Sequence, residues 1–320
     1  MIRVAVLDDY QGRAAELADW GSLGPETEVA FFGRTIPADE LADALADFQV
    51  VVLMRERTAL PRSVLERLTS LRLVVTTGER NAALDVEYLR ERGIPVSGTR
   101  VPPRRAGVSP AVEVAWALIF ATAKRVVVED RAIRAGAWQL GFPALLAGAT
   151  LGLAGLGRLG SQMVGPARAF GMTVIAWSPH LSPERAAAAG AERVSQGELL
   201  RRSDVLSIHL VLSASTRGLI GEQELAAMKP GAVLINTSRG PIVDEPALVR
   251  AVSSGIIGGA GLDVYDREPL PAGHPLRSAD GIVLLPHLGY VSEDNFRVMY
   301  GQVVENIAAF GEGTPIRLIS

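Results

Sequence analysis

The chain has 320 residues, of which 48% are hydrophobic and 21% charged, a size and composition that favour two globular domains over disorder. It contains no cysteine, which excludes disulfides, thiolate metal sites and cysteine nucleophiles. The balance of 32 basic against 35 acidic residues leaves no electrostatic footprint for nucleic acid, and Lys124 and Lys229, the only lysines, argue against a Schiff-base enzyme.

The N-terminal segment reaches Asp8 and Asp9 before the apolar core of a signal peptide can form. Ile2–Leu7, Gln49–Met54 and Leu71–Thr76 read as buried strands, with a short strand at Ile94–Val96. Helical patterns at Pro37–Asp47, Pro61–Thr69 and Asp85–Arg92 lie between them, which predicts a parallel sheet covered on both faces. A long apolar helix is predicted over Pro110–Val128, followed by a loop-rich connector, Arg131–Ala149, carrying Trp138 and Phe142. The longest uncharged run, Ala135–Gly157, has the length of a membrane span but holds Gln139, Pro143 and six glycines. The expectation is a soluble cytoplasmic protein with no membrane partner.

A second strand–helix alternation starts at Leu151. Strands are predicted at Leu151–Gly155, Thr173–Trp177, Val205–His209, Ala232–Asn236, Gly259–Val264 and Gly281–Leu285. Helices are predicted at Arg158–Phe170, Pro183–Ala189, Gly221–Met228 and Glu245–Ser254, with a last amphipathic helix over Ser292–Phe310. Six strands in this alternation fit a doubly wound nucleotide-binding sheet, so the fold class is α/β.

Within LGLAGLGRLG, the residues Gly155, Gly157 and Gly160 form GxGxxG between a strand and a helix. The first glycine permits a tight turn, the second lets a pyrophosphate approach the backbone, and the third lets helix and strand pack closely. The backbone N–H groups of Arg158 and Leu159 then face the phosphates at a helix N-terminus. An acidic residue is expected about 20 residues on to bind the ribose, but the strand ends in Ser178, Pro179 and His180. A serine repels a 2′-phosphate less than a carboxylate does. NAD is the expectation, and NADP stays open, with His180 and Arg185 as nearby cations.

Three later segments carry further chemistry: INTSRGPIVDE at Ile235–Glu245, GLDVYDREPLP at Gly261–Pro271 and LPHLGY at Leu285–Tyr290. With the mid-chain glycine turn, the chain resembles the D-isomer-specific 2-hydroxyacid dehydrogenases over essentially its whole length. That family includes phosphoglycerate dehydrogenase and the glyoxylate/hydroxypyruvate reductases. Reducing a 2-keto acid needs a cation for the carboxylate and carbonyl, an acid for the developing alkoxide, and a carboxylate beside that acid. Arg239, His287 and Glu268 fit these roles, and the resemblance implies the same assignment. Each has a plainer reading: Arg239 as a surface residue at a strand end, and Glu268 as a solvated charge beside Asp266. His287 is one of four histidines, and His209 suits a structural role as well as a cofactor contact.

The resemblance also implies cofactor contacts at Thr216, Thr237, Ser238, Arg239, Asp263 and His287. Asp263 equally suits a strand-end carboxylate that satisfies nearby backbone. Substrate contacts are implied at Arg55 in MRERT and at Gly78, whose loop departs from the family form and carries Arg80. Arg55, Arg57 and Arg80 together suit a phosphorylated or dicarboxylic substrate, while Arg57 and Arg80 equally suit a solvated face. Pro102, Pro103, Arg104 and Arg105 are atypical for the family. The architecture implied is two doubly wound, Rossmann-like parallel-sheet domains. Residues 102–290 form the dinucleotide-binding domain, inserted into a discontinuous flavodoxin-like substrate domain of residues 1–101 with 291–320. The resemblance further implies a small 2-keto or 2-hydroxy acid as ligand and a homodimer built on the Pro110–Val128 helix and Trp138 loop, while the four widely separated histidines and the lack of HExxH spacing predict no metal. The competing reading is a non-catalytic NAD(H) sensor similar to the dehydrogenase-like corepressors.

Overall fold

A computed structural model describes residues 1–102 and 107–319 and divides the chain into two compact units, Met1–Pro103 with Ser292–Ser320 and Arg104–Val291. Pro103, Arg104 and Arg105 lie outside the described residues. No helix among the described residues is long and apolar enough to cross a membrane.

The first unit holds β1 (Ile2–Val6), β2 (Thr27–Phe31), β3 (Val50–Leu53), β4 (Leu73–Thr76) and β5 (Val96–Ser97). All pair in parallel, in the order β2-β1-β3-β4-β5, which is the flavodoxin-like winding. The central strands β3 and β4 are unbroken runs of apolar side chains and one threonine because both faces of the sheet are covered. β2 was not anticipated: it is a short edge strand whose Glu28 faces solvent, so it carries no continuous apolar run. The helix Glu293–Gly311 returns to this unit and buries Phe296, Met299, Tyr300, Val303 and Ile307. Its Asn306 donates a side-chain hydrogen bond of 2.8 Å to the Gly98 carbonyl, and Ser97 bridges Leu318 beside it.

The second unit holds β6 (Thr150–Ala154), β7 (Thr173–Trp177), β8 (Glu192–Arg193), β9 (Val205–Ile208), β10 (Val233–Asn236), β11 (Gly259–Leu262) and β12 (Ile282–Leu284). Their order is β12-β11-β10-β9-β6-β7-β8, again parallel in every pair. This is the doubly wound order with a seventh strand, and the winding reverses between β6 and β9. β8 and the helix Gln196–Arg202 were not anticipated, although Ser195 and Glu198 form a complete capping box.

The helix predicted over Pro110–Val128 is two helices, Pro110–Ala123 and Val126–Arg134. Arg125 between them adopts a left-handed φ of 57°, which ends the first helix. The second runs into what was expected to be loop. Arg158–Phe170 likewise divides into Arg158–Gln162 and Val164–Ala169 around Met163, with Pro166 unable to donate to the ladder.

Candidate active site

The carboxyl ends of the second unit's strands form one row. Ala154 is in register with Trp177 and Ile208, Ile208 with Asn236, Asn236 with Leu262, and Leu262 with Leu284. Each predicted cofactor or catalytic residue of this unit follows a member of that row, on the edge where open α/β sheets bind ligands.

At the end of β6, Gly155 has a φ of +104°, and a Cβ there would stand 2.7 Å from the His209 carbonyl group. A Cβ at Gly160 would stand 2.1 Å from the Gly155 carbonyl oxygen. Both positions therefore require glycine for packing. Gly157 differs: it is exposed, and a Cβ would meet nothing within 4 Å. The outer glycines shape the turn, while the middle one keeps an open surface at the start of the helix that carries Arg158 and Leu159. These features fit a bound pyrophosphate.

The flanking residues are partly committed. Ser178 accepts a hydrogen bond from the Leu156 N–H at 3.2 Å, so its hydroxyl braces the glycine turn. His209 Nε2 shares a 2.9 Å hydrogen bond with the Ser207 hydroxyl, and burial lowers the His209 pKa to about 4. Thr216 is buried; its hydroxyl donates to the Val211 carbonyl at 2.8 Å and accepts from the Ser213 N–H at 2.8 Å, so it closes its own loop. Val211 in that loop is 83% exposed, an apolar surface that the sequence reading did not single out.

At the end of β10, Asn236 shapes the turn to Arg239. Its side-chain nitrogen donates to the Arg239 carbonyl at 2.9 Å, and its oxygen accepts from the Ser238 N–H at 3.0 Å. Thr237, Ser238 and Arg239 are half-buried. The Ser238 hydroxyl donates to the Leu210 carbonyl, and an Arg239 guanidinium nitrogen donates to the Ser238 carbonyl at 2.8 Å.

The loops after β11 and β12 bring Glu268 and His287 together, with His287 Nδ1 donating to Glu268 Oε2 at 2.6 Å. Both side chains keep about a quarter of their surface, at 25% for His287 and 24% for Glu268. The second Glu268 oxygen accepts from the Tyr265 N–H at 3.0 Å. His287 has a left-handed φ of 56°, which costs a residue with a β-carbon about 1–2 kcal/mol. Asp263 maintains it by accepting the Leu288 N–H at 2.6 Å and the Gly289 N–H at 2.8 Å. Asp263 is fully buried, and burial raises its pKa despite those two bonds. Its carboxylate is thus spent on the backbone that aims His287.

In the first unit, Arg55 follows β3 with a left-handed φ of 55°, and its N–H donates to the Thr77 hydroxyl at 2.9 Å. Buried Asn81 ties the two strand ends, donating to the Arg55 carbonyl at 2.7 Å and to the Thr76 hydroxyl at 3.0 Å. The Arg55 guanidinium lies 3.6 Å from where a Gly78 Cβ would stand. The Gly78 N–H donates to the Thr76 carbonyl at 2.9 Å, so Gly78 gives the loop its shape. Arg80 is exposed. Arg57 is not simply solvated: it donates to the Asp8 carbonyl at 3.1 Å and covers the Tyr10 ring at 4.7 Å.

The family model for the D-isomer specific 2-hydroxyacid dehydrogenase NAD binding domain matches residues 116–289. A glyoxylate reductase from Aeropyrum pernix is 40% identical over 303 residues, covering 92% of this chain and 86% of that protein. The crystal structure of a phosphoglycerate oxidoreductase from Vibrio cholerae superposes with a TM-score of 0.89 at 31% identity, covering 98% of this chain and 100% of that one. A D-lactate dehydrogenase from Aquifex aeolicus, solved with NAD and lactic acid, superposes with a TM-score of 0.76 at 25% identity, covering 97% of this chain and 96% of that one.

Proposed function

The chain belongs to the D-isomer specific 2-hydroxyacid dehydrogenases, and on that premise we propose that it reduces a small 2-keto acid at the edge formed by β10, β11 and β12. Family membership makes it an NAD-dependent oxidoreductase. NAD, when bound, supplies or accepts the hydride. Gly155, Gly157 and Gly160, with the N–H groups of Arg158 and Leu159, hold its pyrophosphate. Ser178, His209, Thr216, Thr237, Ser238 and Asp263 border the same cofactor, several of them as braces of the loops that contact it.

Arg239 binds the substrate carboxylate and draws electron density from the 2-keto oxygen, as a planar donor-only guanidinium suits. With Nδ1 held by Glu268, the other ring nitrogen of His287 faces the reacting oxygen. Nε2 gives that oxygen a proton during reduction and takes it back during oxidation. Glu268 stabilises the charged imidazole and fixes the tautomer. Arg55, with the Gly78 loop and Arg80 beside it, supplies positive charge for the substrate's acid groups. We assign the second unit to the cofactor and the reacting groups, and the first to additional substrate contacts.

The 2.6 Å contact between His287 and Glu268 carries this reading, because a proton donor with a dedicated carboxylate suits keto-acid reduction. The test is oxidation of NADH and NADPH with glyoxylate, hydroxypyruvate, phosphohydroxypyruvate and a branched 2-keto acid. NADH-dependent turnover with at least one acid is expected. Tight NADH binding without turnover on every acid would favour the sensor reading.

We further propose a cytoplasmic homodimer that covers the segment around Trp138. Trp138 is 72% exposed, Phe142 100% and Leu145 77%, a concentration of apolar surface that is unusual on a monomer. Light scattering on Trp138→Ser/Phe142→Ser should report a monomer.

A further inference from the structure

The loops that carry Arg239 and Glu268 meet at one peptide group, Tyr265–Asp266. On one side lies Gly240, where a Cβ would stand 2.0 Å from the Tyr265 carbonyl carbon and 2.4 Å from the Asp266 nitrogen. The residue after Arg239 is therefore glycine because the Glu268 loop presses directly on it. On the other side lies Glu245, whose Oε1 accepts the Asp266 N–H at 2.8 Å. From the same two residues, the Tyr265 N–H reaches Glu268 at 3.0 Å and the Tyr265 hydroxyl donates to the Leu285 carbonyl at 2.8 Å, two residues before His287.

Glu245 is 5% exposed although it is charged and opens the helix Glu245–Ser253. A buried carboxylate needs a partner, and His274 provides one, with Nε2 3.3 Å from Glu245 Oε2. The His274 tautomer suits this, because Nδ1 accepts the Leu276 N–H at 3.3 Å and the proton is left on Nε2. Glu245 thus has one oxygen on the loop backbone and the other on His274. This second histidine–carboxylate pair stands one loop away from His287 and Glu268. It touches no strand-edge catalytic group; it touches the peptide on which they rest.

We propose that Glu245, backed by His274, is a positioning residue that sets the Glu268–His287 pair through the Asp266 N–H. This rests on the catalytic assignment made above. Removing the carboxylate frees the Tyr265–Asp266 peptide and loosens Tyr265, whose own N–H, in the preceding peptide, orients Glu268. A displacement of about 1 Å at a proton-transfer group costs up to ~100-fold in rate.

The experiment compares Glu245→Ala and Glu245→Gln in wild-type and Glu268→Gln backgrounds, reading kcat, KM for the best keto acid and NADH affinity. E245A should lower kcat ~10- to 100-fold while KM and NADH affinity stay within about twofold. E245Q should keep kcat within about threefold, since its amide oxygen still accepts the Asp266 N–H. In the Glu268→Gln background, E245A should cost little more, because the group it positions is already gone. Unchanged kcat in folded E245A overturns the proposal, and so does an equal loss in both backgrounds. If E245A does not fold, His274→Ala reads the same node. An approximately threefold fall in kcat at unchanged NADH affinity is then expected, and wild-type kcat overturns the proposal. Full activity of Glu268→Gln itself would instead sink the catalytic assignment.

Discussion

The two sheets place side chains at the same kind of edge but restrain them differently. Behind β10, β11 and β12, acidic and amide side chains hold backbone N–H groups: Asp263 holds Leu288 and Gly289, Glu245 holds Asp266, and Asn236 holds Ser238. Behind β1 and β3, Asp8 and Arg55 sit in left-handed backbone with φ of 61° and 55°. The Asp8 carboxylate accepts from the Thr58 hydroxyl at 2.8 Å and the Tyr10 hydroxyl at 3.1 Å, and burial raises its pKa. In the second unit the Asp263 and Glu245 bonds fall on the backbone around His287 and Glu268, and in the first the Asp8 carbonyl also accepts the Arg57 guanidinium at 3.1 Å. The contrast is one of restraint: one edge fixes loop backbone N–H groups with carboxylates and an amide, and the other holds a buried carboxylate between two hydroxyls.

The sharpest way to break that contrast is to remove the chemistry from one edge. His287→Ala should lower kcat ~10²- to 10⁴-fold, the range for losing a general acid, with NADH binding retained. Arg239→Ala should lower kcat/KM on a similar scale, part of it through KM. Wild-type rates in either variant would move the chemistry elsewhere. Arg55→Leu should act differently, raising KM for the keto acid ~10- to 100-fold with a smaller change in kcat. An equal fall in kcat would show that the first unit takes part in the reaction step.

The glycine turn offers a finer test. Gly157→Ala should unfold at the wild-type temperature yet bind NADH about tenfold more weakly, because its Cβ meets only open space. Gly155→Ala should instead lose about 2 kcal/mol or more of stability, its Cβ being driven into the His209 backbone. Equal effects on fold and affinity in both variants would erase the distinction drawn between these glycines.

The last test concerns His209, whose effect is confined to acid pH. Its folded pKa of about 4 lies below the ordinary 6.5, so between those values the unfolded chain binds the extra proton. The contribution is complete above pH 6.5 and is lost as pH falls through 4. Denaturant melts across that window should flatten in His209→Gln.

Much of the fold is written in local patterns. The apolar strand Thr150–Ala154 followed by three spaced glycines announces β6 and its turn, because buried parallel strands and tight turns each restrict composition. The strand TEVAF of β2 is short and half-exposed, so nothing in its own residues distinguishes it from a loop. The helix break at Arg125 depends on a left-handed arginine that carries no glycine or proline signal. At the candidate site the family resemblance implied Arg239, Glu268 and His287, and their types suit keto-acid reduction, but in its own sequence surroundings Glu268 read equally well as a solvated charge beside Asp266. Asn236, Glu245 and Tyr265 were missed. Their importance lies in which backbone atom each one touches, and only the folded chain brings those atoms near. The Asn at the end of an apolar strand, two residues before Ser238, was the one available hint, since such a side chain commonly closes an Asx turn.

The closing helix of the first unit has a consequence for biosynthesis. Residues Glu293–Gly311, whose Tyr300 and Val303 are wholly buried, leave the ribosome roughly 190 residues after the sheet they cover. At ~5–20 residues per second that is a delay of about 10–40 s. During it the nascent β1–β5 layer has one apolar face bare, while the contiguous second unit completes itself. The maturing polypeptide therefore finishes its middle before its beginning, and the early sheet is the stretch a chaperone would have most reason to shield.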